Sequence, residues 1–81
     1  MDITADKLKI NTAATVKALS CEGELRRRII DMGITPGATI KLRKKAPFGD
    51  PLEFHVRGYE LSIRKSEAQK IMVEVVKGGT K

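Results

Sequence analysis

Leu52-Glu53-Phe54-His55-Val56-Arg57-Gly58-Tyr59-Glu60-Leu61-Ser62-Ile63-Arg64 is the stretch that sets the fold class. Its apolar side chains recur at every second position, at 52, 54 and 56 and again at 59, 61 and 63. A period of two marks strands with one buried and one wet face. Gly58 interrupts the alternation where a tight turn is needed, so the two runs predict an antiparallel hairpin. Upstream, Ile40 and Leu42 alternate with Lys41 and Arg43, and Pro47-Phe48-Gly49-Asp50-Pro51 links that run to Leu52. The result is three successive antiparallel strands.

Thr35-Pro36-Gly37-Ala38 leads into the first of them as a type II turn. Pro36 presets φ at the second position and Gly37 supplies the positive φ of the third. Ahead of the turn the period changes to that of a helix. In Glu22 to Met32, Leu25, Ile29 and Met32 form one narrow apolar stripe, and Glu22 and Glu24 suit the positive end of its dipole. Gly33 follows as a left-handed cap. Before the helix, Ala13 to Leu19 reads as a first strand, with Ala14, Val16 and Ala18 on one face. After the hairpin, Ser66 to Lys70 reads as one helical turn capped by Ser66, and Ile71 to Val76 as a last strand. Residues 1–12 read as a loose arm, with Leu8 and Ile10 available to lie on the core. Residues 13–76 form the domain and 77–81 a flexible tail.

Five short strands with one helix between the first two predict a small all-β fold, closed into a barrel so that sheet edges disappear. Periodicity leaves SH3-like and OB-type barrels both open. The early position of the helix favours the former.

A chain of 81 residues makes one domain with a small core, which excludes an active site between two domains. No apolar run is long enough for a membrane helix, and the start Met1-Asp2-Ile3-Thr4-Ala5-Asp6 is too acidic for a secretory signal. The single Cys cannot make an internal disulfide and fits a reducing cytoplasm. Net charge is +6, which permits nucleic acid or an acidic protein as partner and demands neither. With no Trp, one Tyr and two Phe, a stacking surface for single-stranded nucleic acid is poorly supplied.

Cys21 and His55 are the only soft metal ligands, far apart and without partners at metal-binding spacing. No nucleophile has a base beside it, and no Gly-rich loop is present to cradle phosphate. The sequence therefore predicts no metal site, no cofactor and no enzyme activity. What remains is surface. Arg26-Arg27-Arg28 lies on the helix. Ile30 sits about 140° round from Leu25, off the core stripe and beside Arg26. Phe48 is held between two prolines. Lys41, Arg43 and Lys45 share a strand face, with Arg57 expected across from them. Arg26, Ile30 and Phe48 are the first candidates for partner contact, and Lys41, Arg43 and Arg57 the second. The competing readings are a solvated basic face, an Ile30 covered by Leu8 or Ile10, and a Phe48 that caps an open end of the barrel.

Three segments, in order, resemble one family. Arg27-Arg28-Ile29-Ile30-Asp31-Met32-Gly33-Ile34-Thr35-Pro36-Gly37 resembles the helix-to-turn signature of the ferrous iron transport protein A family, FeoA. Lys45-Ala46-Pro47-Phe48-Gly49-Asp50-Pro51-Leu52 resembles its hairpin loop. Gly58-Tyr59-Glu60-Leu61-Ser62-Ile63-Arg64-Lys65-Ser66-Glu67-Ala68 resembles its final hairpin and the turn before the last strand. Where the family usually has Gly, this chain has Asn11, a residue that tolerates left-handed φ. The resemblance implies an SH3-like β-barrel, similar also to the C-terminal domain of iron-dependent repressors of the diphtheria toxin repressor type. With no winged helix ahead of the barrel, a full repressor is not expected. The resemblance further implies a cytoplasmic, non-catalytic partner of the membrane ferrous-iron transporter FeoB, docking on its cytoplasmic region and not inserted in the membrane. The rival functions are a basic barrel that binds nucleic acid and an iron-binding chaperone. Self-association is compatible with all three.

Overall fold

The structure is a computed structural model that describes residues 2–76. The expected tail at 77–81 lies outside the described residues. In chain order the elements are β1 (Asp2–Thr4), a single 3-10 turn (Ala5–Lys7), β2 (Ala13–Leu19), α1 (Gly23–Asp31), β3 (Thr39–Lys45), β4 (Leu52–Val56), β5 (Tyr59–Ile63), α2 (Lys65–Ala68) and β6 (Ile71–Val75). All strands belong to one antiparallel sheet, ordered β1-β6-β2-β3-β4-β5.

The central hairpin follows its sequence pattern. Leu52, Phe54 and Val56 are buried, and β4 pairs with β5 in the register Phe54↔Leu61. Arg57 and Gly58 both adopt positive φ, +52° and +87°, as a two-residue hairpin turn of the twisted kind requires. Burial grades along β5. Tyr59 is exposed, Leu61 half-buried and Ile63 fully buried, so the apolar face of this edge strand is inward only at its far end. Ile40 and Leu42 on β3 and Ile71 and Val73 on β6 complete the core from the sheet, and Ile29 and Ile34 close it from the side of α1. Leu25 and Met32, the other members of the helix stripe, are half-buried against it.

The turn before β3 forms as the sequence predicts. The amide of Ala38 donates to the Thr35 carbonyl at 2.9 Å, with Gly37 at φ +94°. Gly33, at φ +95°, ends α1, and its amide donates to Ile30. Asn11 takes φ +68° in the turn before β2.

The structure corrects five expectations. First, there are six strands among the described residues, because the N-terminal stretch is not a loose arm. Asp2–Thr4 pairs with β6, and Ala5 and Leu8 are buried in the core. Ile10 is half exposed instead. Second, the hydrogen-bonded ladder ends on β1 and β5, so two edge strands remain. Third, β2 carries a bulge between Val16 and Ala18. One extra residue reverses the alternation, so Ala18 faces out and Leu19 faces in. Fourth, β3 carries a bulge between Leu42 and Lys44. Lys41, Arg43 and Lys45 therefore do not continue one face. Lys41 and Lys44 stand opposite His55 and Glu53. Fifth, α2 begins at Lys65, so Ser66 lies inside the turn. The backbone amide of Arg64 donates to Glu67 Oε1 at 3.0 Å in the capping position.

Candidate partner-binding surface

Helix α1 is placed by the core contact of Ile29, which fixes which side chains point away. Arg26 and Ile30 are four residues apart and therefore neighbours on its surface. Together with Gly23 and Arg27 they line a shallow groove of about 320 Å³. Ile30 is half-buried at its floor, packed on the edge of the core. Leu8 lines a different groove and Ile10 is exposed, so the sequence alternative in which one of them covers Ile30 finds no support in these positions. The Arg26 guanidinium reaches the Leu19 carbonyl only at 3.5 Å, the outer limit of a hydrogen bond. Among the described residues, neither Arg26 nor Arg27 has a carboxylate partner.

Phe48 is 96% exposed. It occupies the turn Ala46–Gly49, closed by the Gly49 amide donating to the Ala46 carbonyl at 2.7 Å. The loop is anchored behind it, since the Lys65 amide donates to Asp50 Oδ1 at 2.9 Å. A ring at this exposure caps nothing, which removes the reading of Phe48 as a plug for the barrel.

The second candidate set comes apart. Arg57 does not face Lys41 and Arg43. It occupies the β4–β5 turn and reaches back to the end of α1, where its Nε–H donates to the Gly33 carbonyl at 3.0 Å and Nη2–H to Thr35 Oγ1 at 3.2 Å. Its role is structural. Lys41 and Arg43 remain on the outer face of β3, but the face is mixed in charge. Arg43 Nε lies 4.0 Å from Glu60 Oε2, and the same oxygen sits 2.9 Å from His55 Nδ1.

One carboxylate that sequence reading missed reaches the last turn of α1 from α2. Glu67 is 6% exposed. Its Oε2 lies 2.9 Å from Arg28 Nη1, and its Oε1 accepts the Arg64 amide. The spacing of Arg64 and Glu67 marks a helix start, but nothing in the sequence pairs Glu67 with Arg28, thirty-nine residues earlier. Arg28, Asp50 and Pro51 share a polar groove with Ser62, Arg64 and Glu67, so the Phe48 loop and α1 meet at this end of the molecule. Among the described residues, no three His, Cys, Asp or Glu side chains converge as a metal site. No helix among them is long and apolar enough to cross a membrane.

The family comparison bears directly on these positions, since the FeoA domain model matches residues 3–75 and so takes in every element from β1 to β6. The chain belongs to the FeoA family. It is 33% identical over 70 residues to a Fe(2+) transport protein A/Fe(2+) transporter FeoB fusion protein of Porphyromonas gingivalis. That match takes in 86% of this chain but spans only 8% of the length of the fusion protein. Among solved structures, the FeoA-like protein of Clostridium acetobutylicum is 44% identical, with a TM-score of 0.86 over 93% of this chain and 87% of that one. The zinc complex of the Stenotrophomonas maltophilia FeoA is 26% identical, with a TM-score of 0.79 over 89% of each chain. That relative is described as a prokaryotic SH3-domain protein and a candidate activating factor for ferrous iron transport. The fold alone extends to IdeR of T. acidophilum, at 24% identity and a TM-score of 0.83 over 93% of this chain and 34% of that one. The architecture is thus SH3-like, and the family is one linked to ferrous iron transport.

Proposed function

We propose that the protein is a cytoplasmic, non-catalytic accessory factor of ferrous iron uptake that binds the cytoplasmic region of a FeoB-type transporter and modulates its cycle. The observation that carries this reading is the Porphyromonas gingivalis fusion, in which a homologue of this domain and the transporter are one polypeptide. Two modules joined covalently act at high effective concentration. Wherever the two are separate polypeptides, the domain must reach the same partner by its own surface. The groove of Arg26, Arg27 and Ile30 supports contact there, because it offers an apolar floor beside two guanidinium groups that, among the described residues, have no carboxylate partner. Phe48 supports it as a ring already held out by a closed turn, so little ordering entropy is lost on binding.

The mechanism on this reading is a population shift. Docking favours one state of the transporter over another by the difference in affinity for the two. The test is a pull-down of the transporter's isolated cytoplasmic domain, with and without guanine nucleotide, by the wild type and by Arg26→Glu. Saturable capture that differs between nucleotide states and falls in the variant supports the proposal. Equal retention of an unrelated protein, or no capture in any state, overturns it. A steep loss of binding to generic duplex DNA with rising salt, with no capture of the transporter domain, would instead favour the nucleic-acid reading.

A further inference from the structure

The N-terminal stretch builds another groove, which shares no lining residue with that of Arg26 and Ile30. Ile3 of β1, Leu8 after the 3-10 turn and Val75 at the end of β6 line an apolar trough of about 330 Å³, with Thr12 at one end. Lys7 and Lys9 stand on its rim. Both are exposed, and among the described residues neither has a carboxylate within ion-pair distance. Asp6, the acid that precedes Lys7 in this turn, is engaged by the Thr4 hydroxyl. Apolar surface continues past the trough. Ile10, half exposed, lies in the Lys9–Thr12 turn, and Val76, 43% exposed, follows Val75.

We propose that this groove is a docking site for an acidic polypeptide segment that inserts one aliphatic side chain between Ile3 and Val75, over the buried Leu8, and sets carboxylates against Lys7 and Lys9. The chemistry selects the occupant. An apolar floor rewards removal of an aliphatic side chain from water. Two unpaired ammonium groups at the rim favour carboxylates and repel a basic segment. The lining has no aromatic ring, so a nucleobase finds nothing to stack on. The site concerns neither Arg26 nor Phe48 and stands whether or not the transporter is the partner.

The test is two-dimensional NMR of the 15N-labelled full chain, titrated with three blocked peptides. They are Glu-Asp-Leu-Leu-Asp-Glu, the same peptide with both leucines replaced by serine, and the leucine peptide with its acids replaced by lysine. The expected result is a saturable shift of the Ile3, Leu8, Thr12 and Val75 amides with the first peptide alone. In Lys7→Glu/Lys9→Glu, whose two changes are on exposed side chains, the affinity falls by about tenfold while the spectrum stays folded, and raised salt weakens the wild-type affinity in parallel. Arg26→Glu leaves this binding unchanged. Shifts absent from these four amides at millimolar peptide overturn the proposal. So does equal response to the serine peptide. Saturation of the same amides by decanoate but not by the leucine peptide overturns it in favour of an acyl-chain site.

Discussion

Arg57 Nε–H donates to the Gly33 carbonyl at 3.0 Å, tying the β4–β5 turn to the residue that ends α1. The contact is a reciprocal constraint. Gly33 gives α1 its left-handed stop, and a Cβ built there would stand 3.2 Å from Arg57 Cδ. The arginine thus lies close over this position, and a Cβ there would need its side chain to give by a few tenths of an ångström. Removing the fork should be felt at the helix end. Arg57→Ala is expected to lower stability by about 1–2 kcal/mol in urea denaturation, and Arg57→Lys to recover little, since one ammonium cannot serve the Gly33 carbonyl and the Thr35 hydroxyl with the same planar geometry. An Arg57→Lys variant as stable as the parent would show that the two bonds add nothing beyond the charge.

Gly33 and Gly37 share nearly the same φ, and the difference between them is measurable. At Gly37 an added Cβ meets nothing within 4 Å, so Gly37→Ala pays only for left-handed backbone, on the order of 1 kcal/mol, and Gly37→Val about 1–3. At Gly33 the same strain comes with displacement of Arg57. Gly33→Ala should therefore be the more damaging of the two alanine variants by thermal melting, and the gap should close in an Arg57→Ala background. An unchanged gap in that background would mean that the side chain gives way freely.

Glu67 is the buried acid on which α2 and α1 both depend. Glu67→Ala removes the acceptor for the Arg64 amide and the partner of Arg28 together, and is expected to cost about 2–4 kcal/mol. Arg28 is largely exposed, so Arg28→Ala should cost under about 1 kcal/mol. Chemical denaturation of the two variants side by side checks the order. Equal losses would place the stabilisation in the ion pair rather than in the amide contact.

Phe48 separates surface from core. Its exposure predicts that Phe48→Ala changes stability by no more than about 0.5 kcal/mol. If the ring contacts the transporter, the same variant weakens capture of the cytoplasmic domain. A melt lowered by several degrees would return Phe48 to a packing role.

The metal expectation has its own measurement. Cys21 lies in the link between β2 and α1 and His55 on β4, and the near neighbour of His55 is Glu60, whose carboxylate is shared with Arg43. Anaerobic calorimetry with Fe²⁺ should show no submicromolar one-to-one binding. Such binding, abolished in His55→Ala, would overturn this.

The sequence made the hairpin, the helix and the glycine turns legible because each rests on local chemistry. Alternation, a stripe and a positive φ can all be read within ten residues. The bulges at residues 16–18 and 42–44 were not legible, because nothing in Val16-Lys17-Ala18 or Leu42-Arg43-Lys44 announces an extra residue. The pairing partner decides it. The bulge on β2 turns Ala18 outward against plain alternation, and the bulge on β3 breaks the stripe that Lys41, Arg43 and Lys45 would otherwise form. The N-terminal strand was missed for a related reason. Three residues, Asp2-Ile3-Thr4, are too short for a period, and their place is set by β6, seventy residues later. At the candidate site, Arg26 and Ile30 could be found because four residues separate them on one helix. The position of Arg57 could not, since its partners lie twenty-two and twenty-four residues away.

The pairing Asp2↔Glu74 brings the first and last strands side by side, running in opposite directions. The polypeptide thus enters and leaves the domain through one doorway. A module of this kind is portable: it can be appended to a larger chain at either end, or spliced into a host's surface loop, without its entry and exit being pulled apart. Joining the two ends through a short glycine-serine bridge and opening the chain at the exposed 47–50 loop should give a circular permutant that still folds. If it does not, β1 must be laid down before the rest of the sheet can assemble, and the doorway is a hinge in folding order rather than a free splice point.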